Sequence, residues 1–459
     1  MKIIILGAGR VGSSVAETLV SERNDITVVD TNGAPLMQLQ ERLDLRVVVG
    51  SGTHLSVLEA AGARDADMLI ACTTSDEVNL VACKIARQIF NVPQRIARIR
   101  SNEYVDQPEL IGPEGFCIDH LISPERSVTR YLERLIEFPE ALQVVDFAQG
   151  QVTMALVSVS PGSLMTGLSL AELAARIPDA NLQILAVFRK NRPIAIEPHT
   201  QLQLDDEVVV LVETRHAHRA MRALRRTEKT AHRIMITGGG NIGARLAREL
   251  VQQGYAVKLI ELSAARCEEL STTLPEKVIV LHGDATDEIL LEDENIEGAD
   301  VFLAITNDDE NNIMAALLAK RMGARRVMSL ISRRSYGELM EGSRIDVAVA
   351  PDQTTIGELL RYVRRGDVVA VHRLRRGATE ALEAIAHGDA SSSRVVGRRL
   401  SQLPLPPGAS IGALVRGETI LMPHDDPVVE SEDHAIVLVT GRRLIPKVER
   451  LFQVSASFF

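Results

Sequence analysis

The chain opens with Met1-Lys2-Ile3-Ile4-Ile5-Leu6-Gly7-Ala8-Gly9-Arg10-Val11-Gly12, and this stretch decides its fold. The β-branched run before Gly7 predicts a strand, and the apolar spacing of Val15 and Leu19 predicts a helix. The glycines between them have the spacing of a dinucleotide-binding turn, in which backbone N–H groups at a helix N-terminus face a pyrophosphate. The stretch therefore predicts the start of a Rossmann-like unit.

The motif occurs a second time, 231 residues later, as Gly238-Gly239-Gly240-Asn241-Ile242-Gly243 after another β-branched run. Farther along, a block of seven identities returns with a displacement of 233 residues; in the first half it is Ala66-Asp67, Ala71, Thr73, Asp76-Glu77 and Asn79. Self-similarity at a nearly constant displacement is the signature of a duplicated structural unit.

The repeat continues past the nucleotide motif. Pro124 and Pro351 each open an amphipathic helical stretch, and a β-rich segment follows each of them. The apolar faces are Val128, Tyr131, Leu132 and Leu135 in the first stretch, and Ile356, Leu359, Leu360 and Val363 in the second. Each face either contacts a partner or packs on its own lobe. We therefore expect an α/β fold with four parts, at residues 1–124, 125–228, 232–350 and 351–453, and with the basic stretch Arg215 to Lys229 as the linker between the copies.

One acidic residue follows each glycine motif by about 20 residues. Asp30 ends the predicted strand 26–29, and Glu261 is its counterpart in the second half. A carboxylate at this position accepts hydrogen bonds from the adenosine ribose hydroxyls and repels a 2′-phosphate. This favours NAD over NADP, although ATP or ADP would also satisfy such a carboxylate. The alternative is that one copy retains its glycines only for tight packing.

Polar residues follow the other predicted strands at the edge where ligands of open α/β sheets bind. Residues of this kind after the third and fourth strands are Ser51, Thr73 and Thr74 in the first half, and Asp284, Thr306 and Asn307 in the second. They either contact the nucleotide or cap the helices that follow. Arg98 and Arg100 end a fifth strand, where a guanidinium either reaches phosphates or lies on a solvated edge.

Composition excludes several classes of protein. The chain has 459 residues, which predicts about three domains. Its net charge is −10, with no Trp and 3% aromatic residues, so a global electrostatic grip on nucleic acid or anionic lipid is not expected. No window approaches the ~20 apolar residues of a membrane span. Four cysteines without a C-x-x-C pair are typical of a reducing compartment without a disulfide or zinc framework.

Catalytic motifs are missing from the sequence. No Tyr has a Lys four residues later, and no HExxH, GxSxG or P-loop lysine motif occurs. His216 and His218 are better read as a solvated helix than as a metal site, and Cys72 as an ordinary buried thiol. The pattern favours a non-catalytic regulator. The rivals are a nicotinamide-dependent oxidoreductase with an unrecognised substrate and, more weakly, a DNA-binding repressor that would use the basic linker.

The duplicated arrangement resembles the TrkA family, the nucleotide-binding peripheral subunits of Trk-type potassium uptake systems. Each half is similar to an RCK unit, with a Rossmann-like N-lobe, a crossover helix and a small α+β C-lobe. The resemblance covers essentially the whole chain. It implies that the first site is lined by Gly7, Ala8, Gly9, Arg10, Val11, Gly12, Asp30, Ser51, Thr73, Thr74 and Arg98, and the second by Gly238, Gly239, Gly240, Asn241, Ile242, Gly243 and Glu261.

The resemblance also implies ligands and partners. It implies NAD or NADH as the cofactor, with ATP or ADP as a further candidate, while the residues themselves indicate no metal site and no catalytic residue. It implies a homotetramer on the cytoplasmic side of the inner membrane that regulates a TrkH/TrkG-like, potassium-translocating subunit by conformational coupling. Arg10 departs from the family, where a polar neutral residue is usual, and the second small lobe is less regular around Ser391 to Gly408.

Overall fold

The computed structural model describes residues 1–20, 24–159, 163, 165–175, 181–224, 231–340, 343–363, 368–375 and 378–453. They belong to two compact units. The first unit comprises Met1–Ser127 with Asp352–Leu360, and the second comprises Val128–Pro351 with Arg361–Phe459.

The first unit contains a six-stranded parallel sheet. Its strands are β1 (Lys2–Leu6), β2 (Asp25–Asp30), β3 (Arg46–Val49), β4 (Met68–Ala71), β5 (Gln94–Arg98) and β6 (His120–Ile122). Its helices are α1 (Arg10–Val20), α2 (Gly33–Arg42), α3 (Leu55–Ala60), α4 (Asp76–Gln88), α5 (Asn102–Val105) and α6 (Pro108–Ile111). The strand order is β3-β2-β1-β4-β5-β6, which is that of a Rossmann sheet.

The burial of the strands agrees with their positions in this sheet. All four residues of β4 are buried, as are the last four of β1, because helices cover both faces of a parallel sheet. The edge strand β3 is half-exposed. Since the switch in strand order lies between β1 and β4, the turns that follow these two strands open at the same end of the sheet.

The second unit begins with most of the crossover helix α7 (Pro124–Glu137) and a small antiparallel sheet. The strands of this sheet are β7 (Ala141–Phe147), β8 (Val152–Ser158), β9 (Gln183–Arg189), β10 (Arg192–Ile194) and β11 (Glu207–Glu213), with helices α8 (Leu170–Ala175) and α9 (Thr214–Leu224). The order is β10-β9-β11-β8-β7. Helix α9 occupies the first part of the predicted linker, and residues 225–230 lie outside the described part of the chain.

A second Rossmann sheet follows, with the order β14-β13-β12-β15-β16-β17. Its strands are β12 (Arg233–Thr237), β13 (Ala256–Glu261), β14 (Val278–His282), β15 (Val301–Ala304), β16 (Arg326–Leu330) and β17 (Val347–Val349). Its helices are α10 (Asn241–Gln252), α11 (Ala264–Thr273), α12 (Glu288–Asp293), α13 (Asp309–Arg321) and α14 (Arg334–Leu339). This sheet has the same strand order as the first, so the internal repeat corresponds to two Rossmann sheets.

A second crossover helix and a second small sheet complete the chain. They consist of α15 (Pro351–Val363), β18 (Val368–Leu374), β19 (Thr379–Ile385), β20 (Ala409–Arg416), β21 (Thr419–Leu421), β22 (His434–Val439) and α16 (Ile445–Phe452). The strand order, β18-β19-β22-β20-β21, is equivalent to that of the first small sheet. The predicted fold class, two tandem Rossmann-like domains that are each followed by a crossover helix and a small lobe, is confirmed.

The two small sheets share one hydrophobic core inside the second unit. It joins residues such as Phe147 and Met154 to Leu374 and Ile436. A buried polar contact crosses the same boundary, where the backbone N–H of Ala148 donates to Glu383 Oε2 at 2.9 Å. The lobes of the two copies are therefore packed against each other within one polypeptide.

The apolar faces of the crossover helices are covered within the chain. Val128, Leu132 and Leu135 of α7 belong to the same core as Leu246 and Leu250 of α10. The corresponding residues of α15, Ile356, Leu359, Leu360 and Val363, are buried as well. The face of α7 is covered both by its own small lobe and by α10 of the second half. Among the described residues, no helix combines the length and hydropathy needed to cross a bilayer.

Arg326 joins the second Rossmann sheet to the end of α7. Its guanidinium is buried and donates to the carbonyl oxygens of Leu135 at 2.7 Å and Ala141 at 2.6 Å, and to that of Phe138 at 3.4 Å. The last carbonyl groups of a helix have no partner inside the helix, so a cation with several N–H donors stabilises them well.

We expect Arg326→Met to lower the free energy of unfolding by about 2–4 kcal/mol, because it leaves buried carbonyl groups without donors. Chemical denaturation of the full chain measures this loss. Arg321→Met is the matched control, since that side chain is 59% exposed in an ion pair with Glu288, and it should change stability by less than about 0.5 kcal/mol. Equal effects of the two substitutions would contradict the role of Arg326.

Candidate functional site

The first glycine turn brings the end of β1 into direct contact with the start of α1. Gly7 has a φ of 104°, a conformation that other residues rarely adopt, and its N–H donates to Val29 O at 2.7 Å. A Cβ on Gly12 would lie 1.9 Å from Gly7 O. Because no side chain fits there, α1 packs directly on the turn, and its N-terminus is held at the edge of the sheet.

Asp30 is fixed beside this turn by two backbone groups. Its Oδ2 accepts from Ala8 N at 2.7 Å, and its Oδ1 accepts from Asn32 N at 2.8 Å. A carboxylate has about four acceptor positions. Two bonds therefore fix its orientation and leave acceptor capacity for the hydroxyl groups of a ligand.

The second turn repeats this geometry. Gly238 has the same φ of 104°, and a Cβ on Gly243 would lie 1.9 Å from Gly238 O. Glu261 Oε2 accepts from Gly239 N at 2.7 Å, and Glu261 Oε1 accepts from Ser263 N at 2.9 Å. The longer side chain of Glu261 thus reaches the same backbone position as Asp30 does in the first copy.

Asn79 links the ends of the fourth and fifth strands in the first unit, a role that the sequence analysis did not assign. Its Oδ1 accepts from the N–H of Thr73 at 3.0 Å and from its hydroxyl at 2.7 Å, and its Nδ2 donates to Arg98 O at 2.8 Å. The helix that follows is capped by Ser75, whose Oγ accepts from Val78 N. Thr73 is therefore held by Asn79 in the cleft at the carboxyl ends of β1 and β4, and it is not the cap of α4.

Asn312 does the same in the second copy. It accepts from Thr306 N at 2.9 Å and from Thr306 Oγ1 at 2.7 Å, and it donates to Leu330 O at 2.9 Å. Asp308 caps α13 by accepting from Asn311 N at 2.8 Å. The signal for this pair was present in the sequence, because Asn79 and Asn312 are members of the repeated block.

Arg98 and Arg100 differ in their surroundings. Arg100 Nε donates to Glu125 at 2.7 Å, so this arginine is part of an ion pair. Arg98 Nη1 lies 3.5 Å from Thr73 O, whereas its Nε is buried without a hydrogen-bond partner among the residues that the structure describes. Burial, followed by the charge of Arg100, lowers the pKa of the Arg98 guanidinium from its ordinary value. Arg98 therefore remains available to an anion in the cleft.

The residues after the third strands brace their own loops. Ser51 Oγ and Thr53 Oγ1 are 2.8 Å apart, and Asp284 Oδ1 accepts from both the N–H and the hydroxyl of Thr286 at 2.8 Å. The two loops thus use a hydroxyl and a carboxylate for the same purpose. The second loop carries a negative charge that the first does not.

His216 and His218 point to different partners from α9. His218 Nε2 lies 3.0 Å from Glu137 Oε1, and its ring stacks on Phe138 at 4.6 Å. His216 Nδ1 lies 3.6 Å from Glu213. Over the described ranges, no group of three or more His, Cys, Asp or Glu side chains could hold a metal ion.

Comparison with known proteins identifies the family. The TrkA-N domain family matches residues 3–124 and 234–351, and the TrkA-C domain family matches residues 154–225 and 389–453. The Trk system potassium uptake protein TrkA of Vibrio alginolyticus is 51% identical over the full length of both chains. The chain belongs to the TrkA family. Proteins with the same description from Halomonas elongata and Haemophilus influenzae are 50% and 45% identical, again over the full length of both chains.

Solved RCK structures share the fold. The RCK domain of GsuK has a TM-score of 0.61 and 17% identity, covering 98% of this chain and 94% of that one. A structure described as the GsuK channel bound to NAD has a TM-score of 0.61 and 19% identity, covering 98% of this chain and 79% of that one. Like the family members, these structures are similar to the chain across both halves.

Cys72 lies beneath the first turn, and we expect it to be inert in the folded chain. Its Sγ donates to Leu6 O at 3.3 Å, and burial raises its pKa to about 12 from an ordinary 9.0. Because the thiolate is the reactive form and its fraction stays very small below the raised pKa, alkylation of native Cys72 should be slow throughout the interval from about pH 7 to pH 9. In denaturant, where burial no longer raises the pKa, the rate at each pH should be much higher than in the native chain. Peptide mass spectrometry after timed iodoacetamide labelling measures both rates, and fast native labelling at neutral pH would contradict the burial.

Proposed function

We propose that this chain is the regulatory, nucleotide-binding subunit of a potassium uptake system. We call each glycine turn, together with the carboxylate that accepts from it, a cradle. The observation that carries the proposal is that the two cradles match, since Asp30 and Glu261 each accept from an N–H of their glycine turn at 2.7 Å. The names of the family relatives indicate that the transported ion is potassium. The two cradles are the proposed sites at which a nucleotide regulates the transport.

The proposed ligand of each cradle is NAD or NADH, with ATP or ADP as a further candidate. Backbone N–H groups at the N-termini of α1 and α10 face the position of a pyrophosphate, and the two carboxylates face the adenosine ribose. A 2′-phosphate would be repelled, which argues against NADP. The proposed lining residues are those that the resemblance implied: Gly7 to Gly12, Asp30, Ser51, Thr73, Thr74 and Arg98 in the first cradle, and Gly238 to Gly243 and Glu261 in the second.

We assign no catalysis to the cradles. The Cys72 thiol beneath the first turn has its pKa raised to about 12 by burial and is poorly suited to attack. The rival proposal, an oxidoreductase, requires hydride transfer to a substrate. A substrate-dependent change in NADH absorbance with the purified chain would favour that rival.

The proposed partner is a potassium-translocating membrane subunit, contacted from the cytoplasmic side of the inner membrane. A ligand shifts a conformational equilibrium only by its difference in affinity between the two states, and a ~100-fold difference corresponds to about 2.7 kcal/mol. The buried contact of Arg326 with the end of α7 connects a nucleotide-binding sheet to a crossover helix. We take the four parts as domains with the boundaries 1–124, 125–228, 232–350 and 351–453.

Assembly into a homotetramer is proposed from exposed apolar side chains that recur in both halves. Val81 on α4 and Met314 on α13 occupy equivalent positions of their helices and are 39% and 60% exposed. Exposed apolar side chains at equivalent positions of two repeats fit a surface that a second copy of the chain covers.

We expect Asp30→Ala and Glu261→Ala each to weaken NADH binding at its own cradle by at least about tenfold, since each removes a charge-assisted acceptor. Isothermal titration calorimetry on the full chain measures affinity and stoichiometry. Asp44→Ala and Glu276→Ala remove exposed carboxylates from the loops that precede β3 and β14 and are the matched controls. If both cradle variants bind as the wild type does, the assignment of the cradles is wrong.

We expect native mass spectrometry to show an assembly with the mass of four copies of the chain. We also expect the chain to co-purify with a potassium-translocating subunit from detergent-solubilised membranes. A charge buried at an apolar interface is unfavourable, so Val81→Asp with Met314→Asp should reduce the mass. Met37→Asp is the control, because that side chain is 67% exposed but has Glu268 as its counterpart. A monomer, or no membrane partner, would contradict the proposed assembly.

A further inference from the structure

The two cradles have the same backbone but different charges. Asn79 donates to Arg98 O and Asn312 donates to Leu330 O, so Arg98 and Leu330 occupy corresponding positions at the ends of β5 and β16. Leu330 is 5% exposed and apolar. The second cradle therefore lacks the cation that the first one has at this position.

Arg98 lies next to the first glycine turn. Its Nη1 is 3.5 Å from Thr73 O, and a Cβ on Gly7 would lie 3.1 Å from Thr73 Cα. Its Nε is buried and has no partner among the residues described. A buried guanidinium N–H that lacks an acceptor is unfavourable, and a phosphate oxygen in the cleft would satisfy it.

Three further differences also make the charge around the first cradle more positive than that around the second. The first residue of the helix after the turn is Arg10 in the first cradle and Asn241 in the second, and both are exposed. The cap of the helix after the fourth strand is Ser75 in the first and Asp308 in the second. The loop after the third strand carries Ser51 in the first and Asp284 in the second. Each difference makes the second cradle less favourable for an anion.

One difference adds a positive charge to the second cradle instead of the first. Arg266 in the second copy corresponds to Pro35 in the first, since both follow the helix cap by three residues. Arg266 Nε donates to Gly239 O at 2.9 Å, and its Nη1 pairs with Glu269 at 2.6 Å. Its charge is thus already paired, on the side of the cradle where Glu261 lies and away from the position of Leu330.

We infer that the first cradle selects the more anionic nucleotides, such as ADP or NADH, and that the second selects NAD⁺, whose nicotinamide ring is cationic. This inference rests on the proposed function and assigns a ligand class to each cradle. Arg98 and Arg10 set the preference of the first cradle, and Asp308 and Asp284 set that of the second. The chain then senses two different ligands through one kind of backbone site.

The test compares ADP with NAD⁺ by calorimetry on the full chain, with one cradle disabled at a time. In a Glu261→Ala background, we expect Arg98→Leu to weaken ADP binding by at least about tenfold and NAD⁺ binding by clearly less. Arg98→Lys keeps the charge and should retain most of the ADP affinity. Arg87→Leu, an exposed arginine near the end of α4, is the matched control and should change neither affinity.

The reciprocal test uses the other cradle. In an Asp30→Ala background, Asn241→Arg combined with Asp308→Ser should strengthen ADP binding by about tenfold and leave NAD⁺ binding nearly unchanged. Both side chains are exposed, and Ser75 caps the corresponding helix in the first copy, so the substituted chain should fold. Added salt should weaken ADP binding to the first cradle more than NAD⁺ binding to the second.

The outcomes separate the two proposals. If each single-cradle background binds nucleotide but the substitutions change ADP and NAD⁺ affinities equally or not at all, the inference is wrong and the proposed function stands. If neither background nor the wild type binds any of these nucleotides, both fail. Equal affinity of the two wild-type cradles for ADP would also overturn the inference.

Discussion

Each cradle depends on one hydrogen bond between a glycine-turn N–H and the carboxylate at the end of the neighbouring strand. The bond is 2.7 Å long in both copies, at Ala8 with Asp30 and at Gly239 with Glu261. It is charge-assisted and half-buried. If either the N–H or the carboxylate were removed, the other would remain partly buried without a hydrogen-bond partner, which is unfavourable. The bond therefore fixes the turn, the start of the helix and the carboxylate in one arrangement.

The parts of the structure that could be predicted from the sequence are those with a local pattern. The glycine turns, the acid after the second strand and the duplication of a Rossmann-like unit follow from spacing and repeat alone. The pairing of Asn79 with Thr73 and Arg98 could not be derived in this way, because Asn79 and Arg98 are 19 residues apart in the sequence. Helical periodicity likewise defined the apolar face at Val128 without indicating that α10 and the small lobe cover it.

Backbone and side chains are under different constraints in the two cradles. Gly12 and Gly243 cannot change, because a Cβ at either would lie 1.9 Å from a carbonyl oxygen. Positions such as Arg10 and Asn241 are exposed and have no such restriction. This explains why the turns are nearly identical while the charges around them differ.

The shared core of the two small sheets means that the pairing of the two copies takes place inside one polypeptide. In an assembly of identical single-repeat chains, every substitution would appear on both sides of the symmetry axis at once. Covalent duplication removes that restriction, so one half can acquire a cation such as Arg98 while its counterpart remains Leu330. The fused architecture thus allows two otherwise matched sites to carry different charges within a single subunit.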